Sequence, residues 1–182
     1  MATIKRFEDL ECWQEARKFC KLIYDLTKGQ DFGKDFRLVA QVKDSVISSM
    51  ANIAEGFHRN SNKDFMRFLD YSRASVAETI SHCYVALDQQ YIDEAEMKTA
   101  KQQGEIVWKK VNAFIAYLDR LEKSKRDSVK ANKTKPTNST NKTNPTNETS
   151  NAFMKIAERD WGDWADPEED IYEEYRHYAQ EG

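Results

Sequence analysis

The sequence is poor in the residues that build disulfide-bonded folds and metal centres. Its 182 residues include only three cysteines and three histidines. Cys12, Cys20 and Cys83 are odd in number and show no C-x-x-C spacing, which argues against a disulfide scaffold and against a zinc site. We therefore interpret these cysteines as buried, reduced thiols.

Long apolar runs are also missing. The longest are far shorter than the ~20 residues that a membrane-spanning helix needs, so we expect no contact with a membrane. Residues 1–9 are polar and mixed in charge, unlike a secretory signal peptide. These features together predict a cytoplasmic protein.

Common enzyme motifs are absent as well, including a glycine-rich phosphate loop, G-x-S-x-G and H-E-x-x-H. His82 and Cys83 are adjacent, so on a helix their side chains point about 100° apart, a poor geometry for a nucleophile and its base. Glu78 precedes His82 by four residues, which differs from the Glu-x-x-His spacing of di-iron bundles. We predict a non-enzymatic protein without metal or cofactor; a metal or redox site at these three residues is the weakest hypothesis.

Four segments show the three- to four-residue spacing of apolar side chains that is typical of amphipathic helices. They cover about residues 7–28, 34–56, 62–90 and 93–126. Long helices with short connections predict an all-α domain over residues 1–126, folded as an antiparallel up-down-up-down four-helix bundle.

Three residues mark expected features of these helices. Asn62 is the expected N-cap of the third helix. Gly56 is expected to end the second helix in a left-handed conformation. Gly104 falls inside the fourth helix, where we expect it to loosen the helix locally.

The charges are unevenly distributed behind a net charge of -3. Residues 1–126 carry 21 basic and 19 acidic side chains, and residues 127–151 carry four and two. Residues 152–182 carry three basic and ten acidic side chains. The bundle is thus faintly basic and the C-terminal end strongly acidic.

Residues 127–151 contain a tandem repeat, NKTKPTNST followed by NKTNPTNET. This polar, proline-containing composition predicts a disordered linker.

Residues 152–182 are too few to form a core and predict a short acidic helical tail that docks on a partner protein. Its expected partner-binding residues are Trp161, Trp164, Ile171, Tyr172 and Tyr175. In an alternative role, the tail covers the chain's own basic surface and inhibits it.

Two polar residues interrupt the small and apolar run before Gly56. Asn52 and Glu55 are three residues apart, near one helix face. Because an unpaired buried polar group costs ~1–3 kcal/mol, we expect them to bond to the third helix or to cap its start, with Arg73 and Ser75 as candidate partners. Such a latch would fix the register of the bundle; direct contact with a ligand is the alternative.

Basic residues follow this motif and suggest a surface for phosphates. The candidates are Arg59, Lys63, Arg67 and Arg73, extended by Arg37 and Lys43 on the second helix. Clustered lysine and arginine side chains are sufficient for salt-dependent binding of nucleic acid. The alternative is a solvated face, neutralised by Asp64 and Asp70.

Two segments resemble a known family, FEDLECWQEARKFCKLIYDLT and SVISSMANIAEGFHRNSNKDFMRFLDYSRASVAET. They are similar to the bacterial ribosomal RNA intervening-sequence proteins, a four-helix-bundle family that includes the accessory variability determinant proteins of diversity-generating retroelements. The resemblance covers roughly residues 7–121. The positions that carry its centre are Asn52, Ile53, Ala54, Glu55, Gly56, Arg59, Phe65, Phe68, Leu69 and Glu78.

This resemblance implies a non-enzymatic bundle that assembles into a homopentamer. In the retroelement branch it implies binding to RNA or DNA and to a reverse transcriptase, in support of cDNA synthesis, with nucleic acid contacting the six basic candidates. For the ribosomal branch it implies no defined role. The alternative function is a protein-interaction scaffold of the ribosomal intervening-sequence type, whose acidic tail captures a partner protein.

Overall fold

A computed structural model describes residues 4–29 and 31–133, with side chains described as far as residue 130. Within these residues the chain forms four α-helices and two short 3-10 helices. The α-helices are α1 (Glu11–Leu26), α2 (Phe36–Phe57), α3 (Asn62–Asp88) and α4 (Glu94–Lys133). The 3-10 helices Phe7–Asp9 and Phe32–Lys34 precede α1 and α2.

The four helices pack in a closed ring, in which each contacts the helices before and after it and α1 also contacts α4. The pairing of α1 with α4 shows the antiparallel arrangement. Glu11 at the start of α1 accepts a hydrogen bond from Lys110 (2.7 Å), while Glu15 accepts one from Gln103 (2.9 Å). The predicted all-α four-helix bundle is confirmed.

The core consists of the apolar stripes that the sequence pattern predicts. On α1 the buried side chains are Cys12, Ala16, Phe19 and Ile23, spaced by three or four residues. Burial of a large apolar side chain contributes about 1.5–3 kcal/mol, so these stripes supply most of the drive to pack four helices together. In the described part of the chain, no helix is long and apolar enough to cross a membrane.

Side-chain caps fix where α2 and α3 begin. Asp35 accepts a hydrogen bond from the backbone N–H of Leu38 (3.0 Å), which caps α2. Ser61 accepts one from the N–H of Asp64 (3.1 Å), so Ser61 is the N-cap of α3. The prediction of Asn62 as N-cap is wrong by one residue, because the Asn62 side chain instead reaches across to α4.

Gly56 allows α2 and α3 to approach closely. A Cβ atom at this position would lie 2.5 Å from Phe65 Cδ2 and 2.8 Å from Phe68 Cβ. The expected left-handed conformation is wrong, because α2 continues through Phe57 and no glycine in the described ranges has a positive φ. Contact with α3, and not a turn, requires glycine here.

Gly104 allows a similar approach in the middle of α4. A Cβ atom there would lie 2.8 Å from Ile80 Cδ1 on α3 and 3.4 Å from Phe19 Cζ on α1. The helix runs through this glycine without interruption. Gly104 therefore lets three helices meet, where the sequence suggested a weak point in one.

The last helix extends beyond its predicted end. The sequence pattern predicted that end at Arg126, and α4 continues to Lys133, into the segment predicted to be a linker. The rest of that segment and the whole predicted acidic tail lie outside the described residues. The expected tail residues Trp161, Trp164, Ile171, Tyr172 and Tyr175 therefore stay predictions.

Candidate nucleic-acid interface

Three of the candidate basic residues meet where α2 passes into α3, a site named here the α2–α3 corner (Arg59, Lys63 and Arg67). Arg59 follows the end of α2, and Lys63 and Arg67 occupy the first two turns of α3. The Arg59 guanidinium carbon lies 4.5 Å from the centroid of the Phe68 ring, and that of Arg67 lies 5.9 Å from it. Two guanidinium groups are thus positioned by one aromatic ring.

Each of these arginines also has an acidic neighbour on the surface. Arg59 pairs with Glu55, and Arg67 lies 3.3 Å from Asp64. The side chains of Arg59 and Arg67 are 44% and 59% exposed. Exposed pairs of this kind contribute about 0–1 kcal/mol, so a phosphate group can replace the carboxylate at little cost. Asp64 therefore acts as the neutralising neighbour that the alternative interpretation expected.

Arg73 is engaged in the packing of α3 against α4. Its Nη1 donates a 2.6 Å hydrogen bond to Asn112 Oδ1, and its Nη2 pairs with Asp70. Its guanidinium also lies 5.9 Å from the ring centroid of Trp108. The contacts with Asn112 and Trp108 link two helices, and the structure places Arg73 apart from the corner.

The two candidates on α2 lie elsewhere. Lys43 Nζ is 4.9 Å from the centroid of the Tyr24 ring, on the face between α1 and α2. Arg37 is the second residue of α2, whose 22 residues correspond to a length of about 33 Å. Arg37 and Arg59 are therefore at opposite ends of the bundle, and one small patch does not contain both.

Asn52 and Glu55 do not form the predicted latch. Asn52 donates a 2.8 Å hydrogen bond to the carbonyl of Ser48 in its own helix. Glu55 is 54% exposed and pairs with Arg59. The predicted bonds to Arg73 and Ser75 are wrong, because both polar side chains bond to residues within four positions of them in the sequence.

Buried hydroxyl groups connect α2 to α3 instead. Ser72 donates a 2.7 Å hydrogen bond to the carbonyl of Ser49, and Thr79 donates a 2.9 Å bond to the hydroxyl of Ser45. All four residues are buried. The sequence signal for the first bond was serine on the apolar stripes of both helices, and no hydrogen bond was predicted from it.

The residues of the weakest hypothesis, a metal or redox site, have poor geometry for chemistry. His82 Nε2 lies 3.7 Å from Glu78 Oε1, which is longer than a hydrogen bond. Burial raises the pKa of the Cys83 thiol to about 12, so the thiolate form is scarce at neutral pH. Among the described residues, no group of three or more His, Cys, Asp and Glu side chains is arranged to hold a metal ion.

The arrangement defines a class of protein, an antiparallel four-helix bundle with paired guanidinium groups at one end. The model of the 23S rRNA-intervening sequence protein family matches residues 8–113. The chain belongs to this family, so that part of the sequence-based resemblance is confirmed. The link to retroelement accessory proteins stays a prediction.

The fold also resembles a solved structure. This is the crystal structure of a protein of unknown function from the S23 ribosomal protein family of Bacteroides thetaiotaomicron. It is 22% identical in sequence with a TM-score of 0.54, and the match covers 57% of this chain and 97% of the other. The chain has no match among curated proteins. Neither the family description nor that of the solved structure names an enzymatic activity.

Proposed function

We propose that this protein is a non-enzymatic accessory protein that binds structured RNA through the α2–α3 corner. The observation that carries the proposal is the position of Arg59 and Arg67, whose guanidinium groups lie 4.5 and 5.9 Å from one Phe68 ring. The ring limits the motion of both side chains, so less conformational entropy is lost when they contact phosphates. Lys63 lies one helical turn before Arg67 and adds a third positive charge.

The family name supports RNA as the ligand. The name of the family refers to an intervening sequence of 23S rRNA, and ribosomal RNA is structured. One corner with three basic side chains is a small surface for a polyanion. We propose that the protein self-associates, as the resemblance implies for a pentamer, because several corners would then act on one RNA molecule.

Affinity for an RNA hairpin tests this function. The full chain is titrated against a labelled hairpin at low ionic strength, beside the variant Arg59→Gln/Lys63→Gln/Arg67→Gln. A matched control removes three charges at the opposite end of the bundle, in Lys28→Gln/Lys34→Gln/Lys98→Gln. We expect the corner variant to bind at least about tenfold more weakly, since removal of each charged hydrogen bond to phosphate costs about 1 kcal/mol or more.

If the wild-type chain shows no salt-sensitive binding, or if the corner and control variants show the same reduction in affinity, the corner is not the binding site. The circular dichroism spectrum and the elution volume of each variant are compared with those of the wild type, and weaker binding is assigned to the corner only if both are unchanged.

A protein partner is a second candidate, favoured by the composition of residues 152–182. This segment combines ten acidic side chains with Trp161 and Trp164, and aromatic residues are frequent anchors of interfaces. We propose a reverse transcriptase as the partner to test first, following the resemblance. Co-purification should be abolished in Trp161→Ala/Trp164→Ala and retained in the corner variant; retention in both would contradict the role of the tail.

A further inference from the structure

The end of α4 is exposed to solvent. Residues 123–130, named here the α4 overhang, are all exposed, including Val129 at 56%. The overhang contains four basic side chains and one acidic side chain, Asp127. Its basic side chains are Lys123, Lys125, Arg126 and Lys130.

The overhang begins beside the α2–α3 corner. Asn62, the residue before Lys63, donates a 2.9 Å hydrogen bond to Glu122 Oε1 on α4. Lys125 Nζ lies 3.4 Å from the same oxygen atom, and Arg126 Nε donates a 3.3 Å bond to the Glu122 carbonyl. Glu122 therefore joins the start of α3 to the base of the overhang, and the basic groups of both come to one end of the bundle.

We propose that the α4 overhang and the α2–α3 corner form one continuous surface for the phosphate backbone of RNA. The inference rests on the proposed function and extends it to residues outside the predicted site. An overhang of eight residues is about 12 Å long. Each strand of a DNA duplex carries one phosphate per about 3.4 Å of helix axis, so a helix of this length can reach several phosphates of a duplex.

The composition of the overhang favours a polyanion over a folded protein as its partner. Interfaces with proteins are built around apolar and aromatic anchors, and Val129 is the single apolar residue between 123 and 130. Lys123, Arg126 and Lys130 are spaced by three and four residues, so they lie on one face of the helix and concentrate positive charge there. Phosphate binding needs only closely spaced positive charges and suits this arrangement.

Acidic residues of α4 form exposed pairs with two lysines of this surface. Lys123 pairs with Asp119 at 2.7 Å, and Lys125 pairs with Glu122 at 3.4 Å. Helix pairs of this spacing contribute about 0.3–0.5 kcal/mol when they are exposed. A phosphate that approaches the overhang replaces them at small cost, and the released carboxylates remain solvated.

Charge removal on the full chain tests the proposal. The overhang variant is Lys123→Gln/Lys125→Gln/Arg126→Gln/Lys130→Gln, and the matched control is Lys28→Gln/Lys34→Gln/Lys98→Gln/Lys101→Gln at the opposite end. The probe is a labelled RNA hairpin, titrated at several salt concentrations. We expect the overhang variant to bind at least about tenfold more weakly, with a slope of log K against log salt reduced by about 0.9 for each phosphate that is no longer neutralised.

A charge-conserving variant tests whether weaker RNA binding results from the loss of positive charge or from a change in structure. Lys123→Arg/Lys125→Arg/Lys130→Arg keeps every positive charge and should bind like the wild type. The change to glutamine should leave helix content and melting temperature unaltered, because residues 123–130 are exposed. Weaker binding by the arginine variant would overturn the assignment to charge.

The outcomes separate this proposal from the function on which it rests. If the wild type binds no RNA, the proposed function and the overhang both fail. If the corner variant no longer binds and the overhang variant keeps its affinity and salt slope, only the overhang proposal is overturned. Equal affinity and salt slope for polyglutamate would overturn RNA as the occupant, because any acidic polymer would then suffice.

Discussion

Gly56 on α2 faces the ring of Phe65 on α3 so closely that a methyl group would lie 2.5 Å from Phe65 Cδ2. The helices touch here through the backbone of α2 and two aromatic residues of α3. The same Phe68 whose Cβ atom lies near Gly56 carries the guanidinium group of Arg59 over its ring. Close packing at Gly56 therefore positions the ring on which the basic corner depends.

Gly56→Ala should destabilise the protein, because Phe65 and the backbone-proximal Cβ of Phe68 cannot both move away. We expect a decrease of about 1–3 kcal/mol in the free energy of unfolding, the usual cost of overpacking a core. Gly104→Ala is the matched variant. Its added methyl group would meet the flexible end of the Ile80 side chain, and alanine favours a helix over glycine by about 1 kcal/mol, so we expect a smaller loss of stability than for Gly56→Ala. Urea unfolding measures both, and a Gly56→Ala protein as stable as Gly104→Ala would contradict the close approach.

The hydroxyl of Ser72 should contribute to stability through its bond to Ser49. Ser72→Ala removes this buried bond, and we expect the free energy of unfolding to fall by about 0.5–1.5 kcal/mol. Ser81→Ala, an exposed position on the same helix, should change stability by less than about 0.5 kcal/mol. Chemical denaturation compares the two variants, and equal values would show that the α2–α3 hydroxyl contact is not stabilising.

Glu55 should affect binding more than folding. Glu55→Gln removes the carboxylate that pairs with Arg59, so we expect RNA to bind about two- to fivefold more tightly, since an exposed pair is worth up to about 1 kcal/mol. Asp44→Asn removes the same charge from an exposed site on α2 far from the corner and should leave affinity unchanged. If the Glu55→Gln variant unfolds at a lower urea concentration than the wild type, the result would support the structural role of Glu55 that the sequence suggested.

The buried thiols should be unreactive in the folded protein. Burial raises the pKa of Cys12 and of Cys83 to about 12, against about 9 in an exposed thiol. The half-buried Cys20 should therefore react first with iodoacetamide at pH 8, and all three should react in urea. Rapid labelling of Cys83 in the native state would contradict its placement in the core.

The same pKa shift predicts lower stability in alkali. Above about pH 9 the unfolded chain releases thiol protons that the folded chain keeps, so the unfolded state binds fewer protons and stability falls until pH reaches about 12. Cys83→Ala removes one such group, so the stability difference between wild type and this variant should shrink between about pH 8 and about pH 10.5. An unchanged difference would argue against a shifted thiol pKa.

Much of the fold follows from sequence periodicity, and the errors have identifiable causes. Asn62 and Ser61 are equally suitable N-caps, and the choice depends on Glu122, a contact distant in the sequence. The end of α4 was predicted where its apolar stripe ends, yet an existing helix can propagate residue by residue without further burial. These outcomes depend on tertiary contacts or on propagation, which apolar spacing alone does not report.

The site was predicted less completely than the fold. The cluster of Arg59, Lys63 and Arg67 could be predicted from helical spacing, because all three are close in the sequence. Arg37 lies apart from this cluster because it is at the other end of α2. The sequence-based grouping of basic residues did not consider the length of that helix. The α4 overhang was missed because the sequence pattern ended the fourth helix at Arg126 and assigned the following residues to the linker, whereas α4 continues to Lys133.

The measurement that tests the central claim most directly is the salt dependence of RNA affinity for the wild type and the corner variant, Arg59→Gln/Lys63→Gln/Arg67→Gln. If the corner binds phosphates, log K falls linearly with log salt in the wild type, and the slope of the variant is smaller by up to about 2.7, or about 0.9 for each of three phosphates. Identical slopes for the two proteins would contradict a role of the α2–α3 corner in binding RNA.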